Sequence, residues 1–356
     1  MISNSSTSGG MFRASIHWCG MTDAAAVGTM LAMVAATGLV LTWVTGLPFV
    51  DVIPVVLKFV AVALFIGTLL GAGLRFTQRD LPPQNRFGGD RARLLFLVSL
   101  LVGLTIPVFG IFKQMVLPMR GFPLDPLLGA IDRILFLGND PWRLSHALMP
   151  SLYATIVLDR LYSLWMPMMV AFPMIAAIGA RTSLDRLRLV SSWLLAWVIV
   201  GGLAAWLLGS AGPCYYTDVV GPHPGFGALD LLLGKQDQRA EAIGWPIAAL
   251  DFQPMLLDAY RLRDYAPAGG ISAAPSMHVA MATLFAIGGF NAHRWLGWAM
   301  SVFAALIWIG SIHLGWHYAV DGLIGIMLTI GIWRTTALMA PILAPESGER
   351  LFPPQG

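Results

Sequence analysis

Charge and cysteine are both scarce in this sequence. Only 12% of its 356 residues are charged, whereas 57% are hydrophobic, which is far more apolar surface than a soluble protein of this size can bury. The chain therefore needs lipid as part of its solvent, and a water-soluble enzyme or binding domain is excluded. The net charge of +3 is the difference between 22 basic and 19 acidic residues, a surplus too small to indicate nucleic-acid binding.

The two cysteines, Cys19 and Cys214, lie far apart in the sequence. Because the topology below puts them on opposite sides of the membrane, neither a disulfide framework nor a thiolate metal site is expected. The polar segment at the start leads into an apolar stretch without a cleavage-like site of small residues. We therefore expect this segment to be retained rather than removed as a signal peptide.

Apolar runs that could cross ~30 Å of hydrocarbon as helices recur along the chain, although the sixth of them is short for this. They cover 24–46, 50–74, 93–112, 152–179, 189–209, 277–290, 296–314 and 318–340. Lipid offers no partner for an unpaired backbone N–H or C=O group, so each run is predicted to be a helix. The predicted fold is all-α: one integral membrane domain over 1–356, a polytopic bundle of about eight transmembrane helices. Its parts are N-terminal helices over 24–112, amphipathic outer loops and a six-helix catalytic core.

Basic residues in the short loops predict the orientation. Arg75 and Arg79 follow the second apolar run, and Arg181 and Arg186 follow the fourth. The positive-inside rule places these loops in the cytoplasm, together with both termini. In a bacterial inner membrane, which we expect, the segments 113–150 and 210–275 then face the periplasm.

The segment 113–150 does not look like an ordinary linker. Its leucines and isoleucines recur at roughly helical spacing among five charged residues: Arg120, Asp125, Asp132, Arg133 and Arg143. This pattern predicts an interfacial amphipathic helix that lies on the membrane. The segment 210–275 mixes glycine, proline and charge with aromatic residues, and the two segments together are predicted to form a lid or rim over a site at the outer surface.

The motif AAPSMHVAM lies where the second outer segment meets the sixth apolar run. It contains Pro275, Ser276 and His278. Proline and serine are favoured at helix starts, where free N–H groups and the positive end of the helix dipole attract an anion such as phosphate. A histidine at this position can meet that phosphate.

The motif GSIHLGWHYAVDGLIG joins the last two apolar runs. His317 and Asp321 are four residues apart in it, a spacing that puts them on one face of a helix. The carboxylate can then accept a hydrogen bond from one ring nitrogen and leave the other as a nucleophile. In the predicted topology His317 emerges at the same outer level as His278, although 39 residues separate them.

The two motifs together resemble the second and third signature motifs of the type-2 phosphatidic acid phosphatase superfamily. They read PSMH at 275–278 and HYAVD at 317–321. In particular, GGISAAPSMH with HYAVD is similar to the inositolphosphotransferase branch, which includes the fungal inositol phosphorylceramide synthases. The resemblance covers residues 205–340.

This resemblance implies a double displacement. In the family, the histidine matching His317 attacks phosphorus to form a phosphohistidine, and the aspartate matching Asp321 orients it. The histidine matching His278 protonates the leaving oxygen, and a second alcohol or water then takes the phosphoryl group. No metal and no cofactor is implied.

The cations of the family's phosphatases are missing from the matching positions. Their arginine six residues before the nucleophile corresponds to Ser311, and we align their first motif, which has a lysine and an arginine, with SAGPCYYTD at 210–218. Other groups must therefore neutralise the phosphate in the transition state. The candidates are hydrogen-bond donors and two arginines: Tyr215, Tyr216, Ser276, Ser311, Arg143 and Arg160.

Several of these residues have a structural alternative. His313 is expected to be a packing residue. His313, His317 and Asp321 also have a spacing compatible with a metal, which Gly315 and the break between helices weaken. Asp159 and Arg160 can pair with each other as readily as with a substrate.

The predicted function is transfer of a phosphoryl or phospho-headgroup unit to or from a lipid at the membrane surface, with the lipid and the bilayer as the expected partners. Hydrolysis of a lipid phosphate or polyprenyl pyrophosphate is the alternative reaction. A non-catalytic lipid carrier or assembly partner, and a vanadate-dependent peroxidase, are rivals from other classes.

Overall fold

The computed structural model of the chain describes residues 11–80, 87–263, 265 and 269–338, with side chains from residue 23 onward. Within these residues the chain forms helices and no strand, as predicted. The first half contains α1 (Met11–Thr45), α2 (Phe49–Thr77), α3 (Gly89–Ile111), α4 (Asp125–Leu135), α5 (Pro141–Leu148), α6 (Leu152–Gly179) and α7 (Ser183–Ala196). The second half contains α8 (Ala205–Leu208), α9 (Pro213–Val219), α10 (Pro224–Ala242), α11 (Ala248–Leu262), α12 (Met277–Ala292), α13 (Arg294–His313) and α14 (Ala319–Leu338).

Every predicted apolar run coincides with a helix. Six helical stretches in the described part of the chain are long and apolar enough to cross a membrane, and α12 is a shorter apolar helix. The run 318–340 corresponds to α14, which is as long as α13 but carries Asp321 and Arg334; residues 339 and 340 lie outside the described part. The prediction of a polytopic membrane helix bundle is confirmed.

The helices differ in how much protein surrounds them. In the most apolar part of α2 only 11% of the residues are buried inside the protein. The corresponding share is 61% in the stretch Gly89–Met119, which contains α3, and also 61% in the stretch Ser183–Leu208, which begins with α7. Large apolar side chains such as Trp43 and Phe65 are exposed on α1 and α2, as expected for helices that face lipid. Since α1 and α2 both pack on α3, they form the periphery of the bundle.

Several helices of the bundle meet at α12. This helix packs against α6, α7, α13 and α14. A Cβ atom added at Gly325 of α14 would lie 2.7 Å from the Ser276 carbonyl oxygen, so a glycine at this position allows α14 to approach the start of α12. The two motifs are brought together by this contact.

The segment 113–150 does not form the single helix that its apolar spacing suggests. It begins with a π-helical turn over Phe112–Val116 and a 3-10 turn over Leu117–Met119, followed by the separate helices α4 and α5. Gly121 and Gly138, both at positive φ, lie in the connections before and after α4 and allow the chain to turn there.

Candidate active site

Ser276 begins α12 as the sequence predicts. Its side chain accepts a hydrogen bond from the Val279 N–H at 3.4 Å, the N-cap interaction typical of serine. Its own N–H donates to the Asp321 carbonyl at 3.1 Å. The start of α12 is therefore tied to the first turn of α14, and His278 is held near the HYAVD motif.

His317 lies in the turn between α13 and α14, and not on a helix as the four-residue spacing to Asp321 suggests. The N–H groups of Trp316 and His317 both donate to the Ser311 carbonyl, at 2.9 and 3.2 Å. The turn returns His317 toward Asp321, and its Nδ1 lies 3.5 Å from Asp321 Oδ2. The same oxygen accepts the Tyr318 N–H at 3.0 Å, so a tight turn places the carboxylate beside the ring.

The structure brings the two histidines together. The rings of His278 and His317 have their centroids 5.9 Å apart at an angle of 58°. Tyr162 stacks on His278 at 4.3 Å and Trp165 lies against it at 4.0 Å. Burial lowers the pKa of His317 to about 3, which leaves its ring neutral at physiological pH and able to act as a nucleophile.

Lys113 is the cation that the sequence motifs did not reveal. It lies in the π-helical turn after α3, and its charge acts electrostatically on both His278 and His317. A Cβ atom added at Gly270 would lie 3.0 Å from Lys113 Cγ, so the loop leading to PSMH passes directly over the lysine stem. With Arg120 following seven residues later, a lysine and an arginine do precede the outer helices, but in 113–120 and not in 210–218.

The two arginines that we expected to bind phosphate are engaged elsewhere. Arg143 pairs with Asp140 at 3.3 Å and lies over the Trp142 ring. Arg160 pairs with Asp159 at 3.3 Å and donates to the Pro246 carbonyl at 2.6 Å. For Asp159 and Arg160 the structure thus has the mutual ion pair that was the structural alternative.

The four polar candidates without charge also have local partners. Tyr215 donates to the Gln253 carbonyl at 3.2 Å, and Tyr216 packs edge-on against His223 and Phe226. Ser311 donates to the Trp308 carbonyl at 2.7 Å, and Ser276 caps α12. Their role in phosphate binding stays a prediction, but none is directed at the histidine pair by a hydrogen bond in the described residues.

Several buried polar atoms around the histidines have no hydrogen-bond partner within the described part of the chain. They are Tyr162 Oη, Trp165 Nε1, Trp316 Nε1, His317 Nδ1 and Asp321 Oδ1. Buried polar groups are normally satisfied, and exceptions call for an explanation such as a ligand or a catalytic role. Because Tyr162 and Trp165 lie against the His278 ring, these atoms mark the region around the histidine pair as a candidate binding site.

The polar face of α4 points into the protein. Asp125 and Asp132 are buried, whereas the apolar Leu127 and Ile134 are exposed. Asp132 accepts the N–H groups of the first two residues of α14, and burial raises the pKa of this carboxyl to about 7. The acidic residues that suggested a water-facing side of an interfacial helix therefore contact the active-site turn; whether α4 lies on the membrane stays a prediction.

Metal ligation has little support in this region. In the described part of the chain, no group of three or more histidine, cysteine, aspartate or glutamate side chains is arranged to hold a metal ion. Of the three residues with metal-compatible spacing, His313 uses both ring nitrogens in contacts with Ser145 and Thr155, at 3.1 and 2.9 Å. Cys214 is a free thiol, and the side chain of Cys19 lies outside the described residues.

Comparison with known proteins agrees with the two motifs. A family model described as the PAP2 superfamily matches residues 127–335, which is more than half of the chain and includes most of α4, both histidines and Asp321. Searches of curated proteins and of solved structures gave no significant match. The matched region contains the helices that assemble the histidine pair, and on this basis the chain belongs to the PAP2 superfamily.

Proposed function

We propose that this protein is a membrane phosphotransferase that acts on a lipid phosphate or phospholipid headgroup through a phosphohistidine at His317, in the manner of the inositolphosphotransferases. The main support is the approach of two imidazoles to 5.9 Å, with Asp321 3.5 Å from one of them. Membership of the PAP2 superfamily suggests a lipid phosphatase or phosphotransferase. The geometry supports a histidine nucleophile with a second histidine opposite.

The first step forms a bond between His317 and phosphorus and breaks the bond from phosphorus to the leaving oxygen. Asp321 orients the ring and stabilises the positive charge that develops on it. His278 protonates the leaving oxygen, and an anionic phosphate beside it favours the protonated ring that this step needs. In the second step the acceptor hydroxyl gives its proton to His278 and attacks phosphorus, and the bond to His317 breaks.

The equatorial phosphate oxygens need positive charge or hydrogen-bond donors in the transition state. Lys113 is our candidate for this positive charge, because it acts electrostatically on both His278 and His317. The Tyr162 hydroxyl and the Trp316 indole N–H, which have no partner within the described residues, are candidates for additional donors. Arg143 and Arg160 pair with Asp140 and Asp159, and a role for them in phosphate binding stays a prediction.

Hydrolysis is the second candidate reaction, with a lipid phosphate or polyprenyl pyrophosphate as substrate. A small cavity lined by Asp132, Asp140 and Trp142 reaches His317. A cavity with several polar groups in its wall can hold a water molecule, and water can accept the phosphoryl group in place of an alcohol. The two reactions differ in the acceptor and share the phosphohistidine.

Product analysis on the purified protein tests both reactions. Phospholipids labelled in the phosphate are incubated with and without inositol, and the products are separated. We expect headgroup transfer with inositol, and a trapped phosphoprotein that is stable in alkali and labile in acid. The His317→Ala variant should form neither. Turnover that persists in His317→Ala would exclude His317 as the nucleophile, whereas wild-type protein that is inert towards every lipid tested would favour the non-catalytic carrier.

A further inference from the structure

We infer that Asp132, supported by Asp125, is a positioning residue that holds the catalytic turn at 317–320 from the outer helix α4. This inference rests on the proposed function, because it assigns a role in setting the geometry of His317 and Asp321. The two sequence motifs do not indicate this role, because Asp132 lies 185 residues before His317 in the sequence.

Asp132 binds the start of α14 with both carboxylate oxygens. Oδ2 accepts the Ala319 N–H at 2.7 Å, and Oδ1 accepts the Val320 N–H at 2.9 Å. These are two of the N–H groups that a helix leaves without a partner in its first turn. The residues they belong to lie between His317 and Asp321, so a shift of these bonds changes the distance between the nucleophile and the carboxylate that orients it.

Asp125 holds the same turn through the side chain of Tyr318. Its Oδ1 accepts the Tyr318 hydroxyl at 2.9 Å and the Gly212 N–H at 2.9 Å, and its Oδ2 accepts the Ala211 N–H at 2.8 Å. The α4 helix therefore connects the catalytic turn to the residues just before α9. Asp125 and Asp132 are seven residues apart along α4, about two helical turns, so they lie on the same face.

The two carboxylates make an unusual anchor. Both are buried, and within the described residues neither forms an ion pair. Burying a carboxylate without a cation is unfavourable unless hydrogen bonds satisfy it. A more economical contact for an outer helix would be apolar, yet the exposed side of α4 carries the apolar residues and the buried side carries the carboxylates. This arrangement is expected if the carboxylates serve to fix the position of the turn at 317–320.

Asp159 provides a matched control elsewhere in the molecule. It is also buried, and it also accepts the first two N–H groups of a helix, those of Ala248 and Ala249 in α11, both at 3.0 Å. The helix that it caps does not carry a catalytic histidine. Asp132→Asn and Asp159→Asn therefore lose the same kind of helix cap, although Asp159→Asn also loses the ion pair with Arg160, and only the first change lies beside the nucleophile.

The test measures turnover of a short-chain phosphatidic acid in detergent micelles and binding of orthovanadate, a mimic of the phosphoryl transition state. Because a displacement of about 1 Å can cost on the order of 100-fold in rate, Asp132→Asn should lower kcat by roughly that factor, leave KM within about threefold and weaken vanadate binding in parallel. Asp159→Asn should keep kcat and vanadate affinity within about twofold of wild type, while its thermal unfolding midpoint falls as far as that of Asp132→Asn.

A second variant, Tyr318→Phe, removes only the hydroxyl bonded to Asp125 and keeps the fold of the turn. We expect it to weaken vanadate binding by about fivefold, in line with the loss of one hydrogen bond. Wild-type kcat and vanadate affinity in both Asp132→Asn and Tyr318→Phe would overturn the positioning role alone. An equal loss of kcat in Asp159→Asn would reduce the effect to general destabilisation and also overturn it. Wild-type protein that neither binds vanadate nor turns over lipid would overturn the proposed function as well.

Discussion

Two pairs of histidines lie close together in this molecule, and their surroundings differ. In the first pair, His278 and His317, the rings are 5.9 Å apart, and buried polar atoms near them have no partner. In the second pair, His146 and His313 stack at 3.6 Å. His313 contacts Ser145 and Thr155 through its two ring nitrogens, and His146 Nε2 donates to the His313 carbonyl at 3.0 Å.

The difference favours the first pair as the one that takes part in the proposed chemistry. The second pair leaves a single ring nitrogen, His146 Nδ1, without a partner, and its stacked rings leave no room for a ligand between them. The first pair is separated, is flanked by unpartnered donors and lies within the electrostatic reach of Lys113. A satisfied histidine contributes to packing, whereas an unsatisfied one beside a cation is suited to bind an anion.

The largest expected effect comes from removing one histidine of each pair. His317→Ala should lower kcat by on the order of 10⁴-fold or more, as loss of a nucleophile does in other enzymes. His313→Ala should change kcat by less than about tenfold but lower the unfolding temperature, because the buried hydroxyls of Ser145 and Thr155 each lose one contact. The measurements are steady-state turnover and thermal unfolding in the same detergent.

These two variants exchange roles if the comparison is wrong. A His313→Ala protein that is stable but inactive would place the second pair in the mechanism. A His317→Ala protein that is unstable but retains turnover per folded molecule would make the first pair structural.

The next largest effect is expected at Lys113, whose charge acts on the first histidine pair only. Lys113→Met keeps the length of the stem and removes the charge, and we expect a fall in kcat of about 10²- to 10³-fold, the cost of losing one transition-state contact of this kind. Arg160→Met is the control, because Arg160 already pairs with Asp159 and should matter less than about threefold. If kcat falls by the same large factor in both variants, Arg160 contributes to catalysis as much as Lys113 does, as the sequence alone suggested.

The fold could be predicted from the sequence because lipid imposes a simple rule. Each apolar run of sufficient length has to be a helix, and the helices end near the predicted positions; α12 begins at Met277, directly after the predicted cap Ser276. The pairing of His278 with His317 also follows, since alternating helix directions return both to one end of the bundle. These features depend on local composition and on the order of the segments.

The remaining parts of the site depend on contacts between distant segments. Lys113 is in a π-helical turn that no sequence pattern marks, and its approach to the histidines depends on how α3 packs. From the sequence, Asp132 is expected to be a surface residue of an amphipathic helix. In the structure it accepts an N–H group of α14, from a residue 187 positions later. Arg143 and Arg160 are candidates from the sequence, and in the structure they form ion pairs with the nearby carboxylates Asp140 and Asp159.

A smaller effect is expected at Tyr162, whose ring stacks on His278 while its hydroxyl has no partner. Tyr162→Phe keeps the stack and removes the hydroxyl, and should lower kcat by roughly tenfold if that hydroxyl donates to the phosphoryl group in the transition state. Tyr265→Phe is the matched control, since its hydroxyl already donates to the Pro107 carbonyl at 3.0 Å. A Tyr162→Phe protein with full activity would assign this tyrosine to packing alone.

The smallest effect on activity is expected from Thr155, which belongs to the second pair. Its hydroxyl contacts His313 Nε2 and donates to Gln236 Oε1, both at 2.9 Å. Thr155→Val keeps the shape and leaves two buried polar atoms unsatisfied, which should cost about 1–3 kcal/mol of unfolding free energy with kcat unchanged. Thr68→Val is the control, because that hydroxyl bonds its own exposed helix and should cost less than about 0.5 kcal/mol. If Thr155→Val lowers kcat while its stability matches wild type, the second histidine pair takes part in catalysis and the contrast between the two pairs fails.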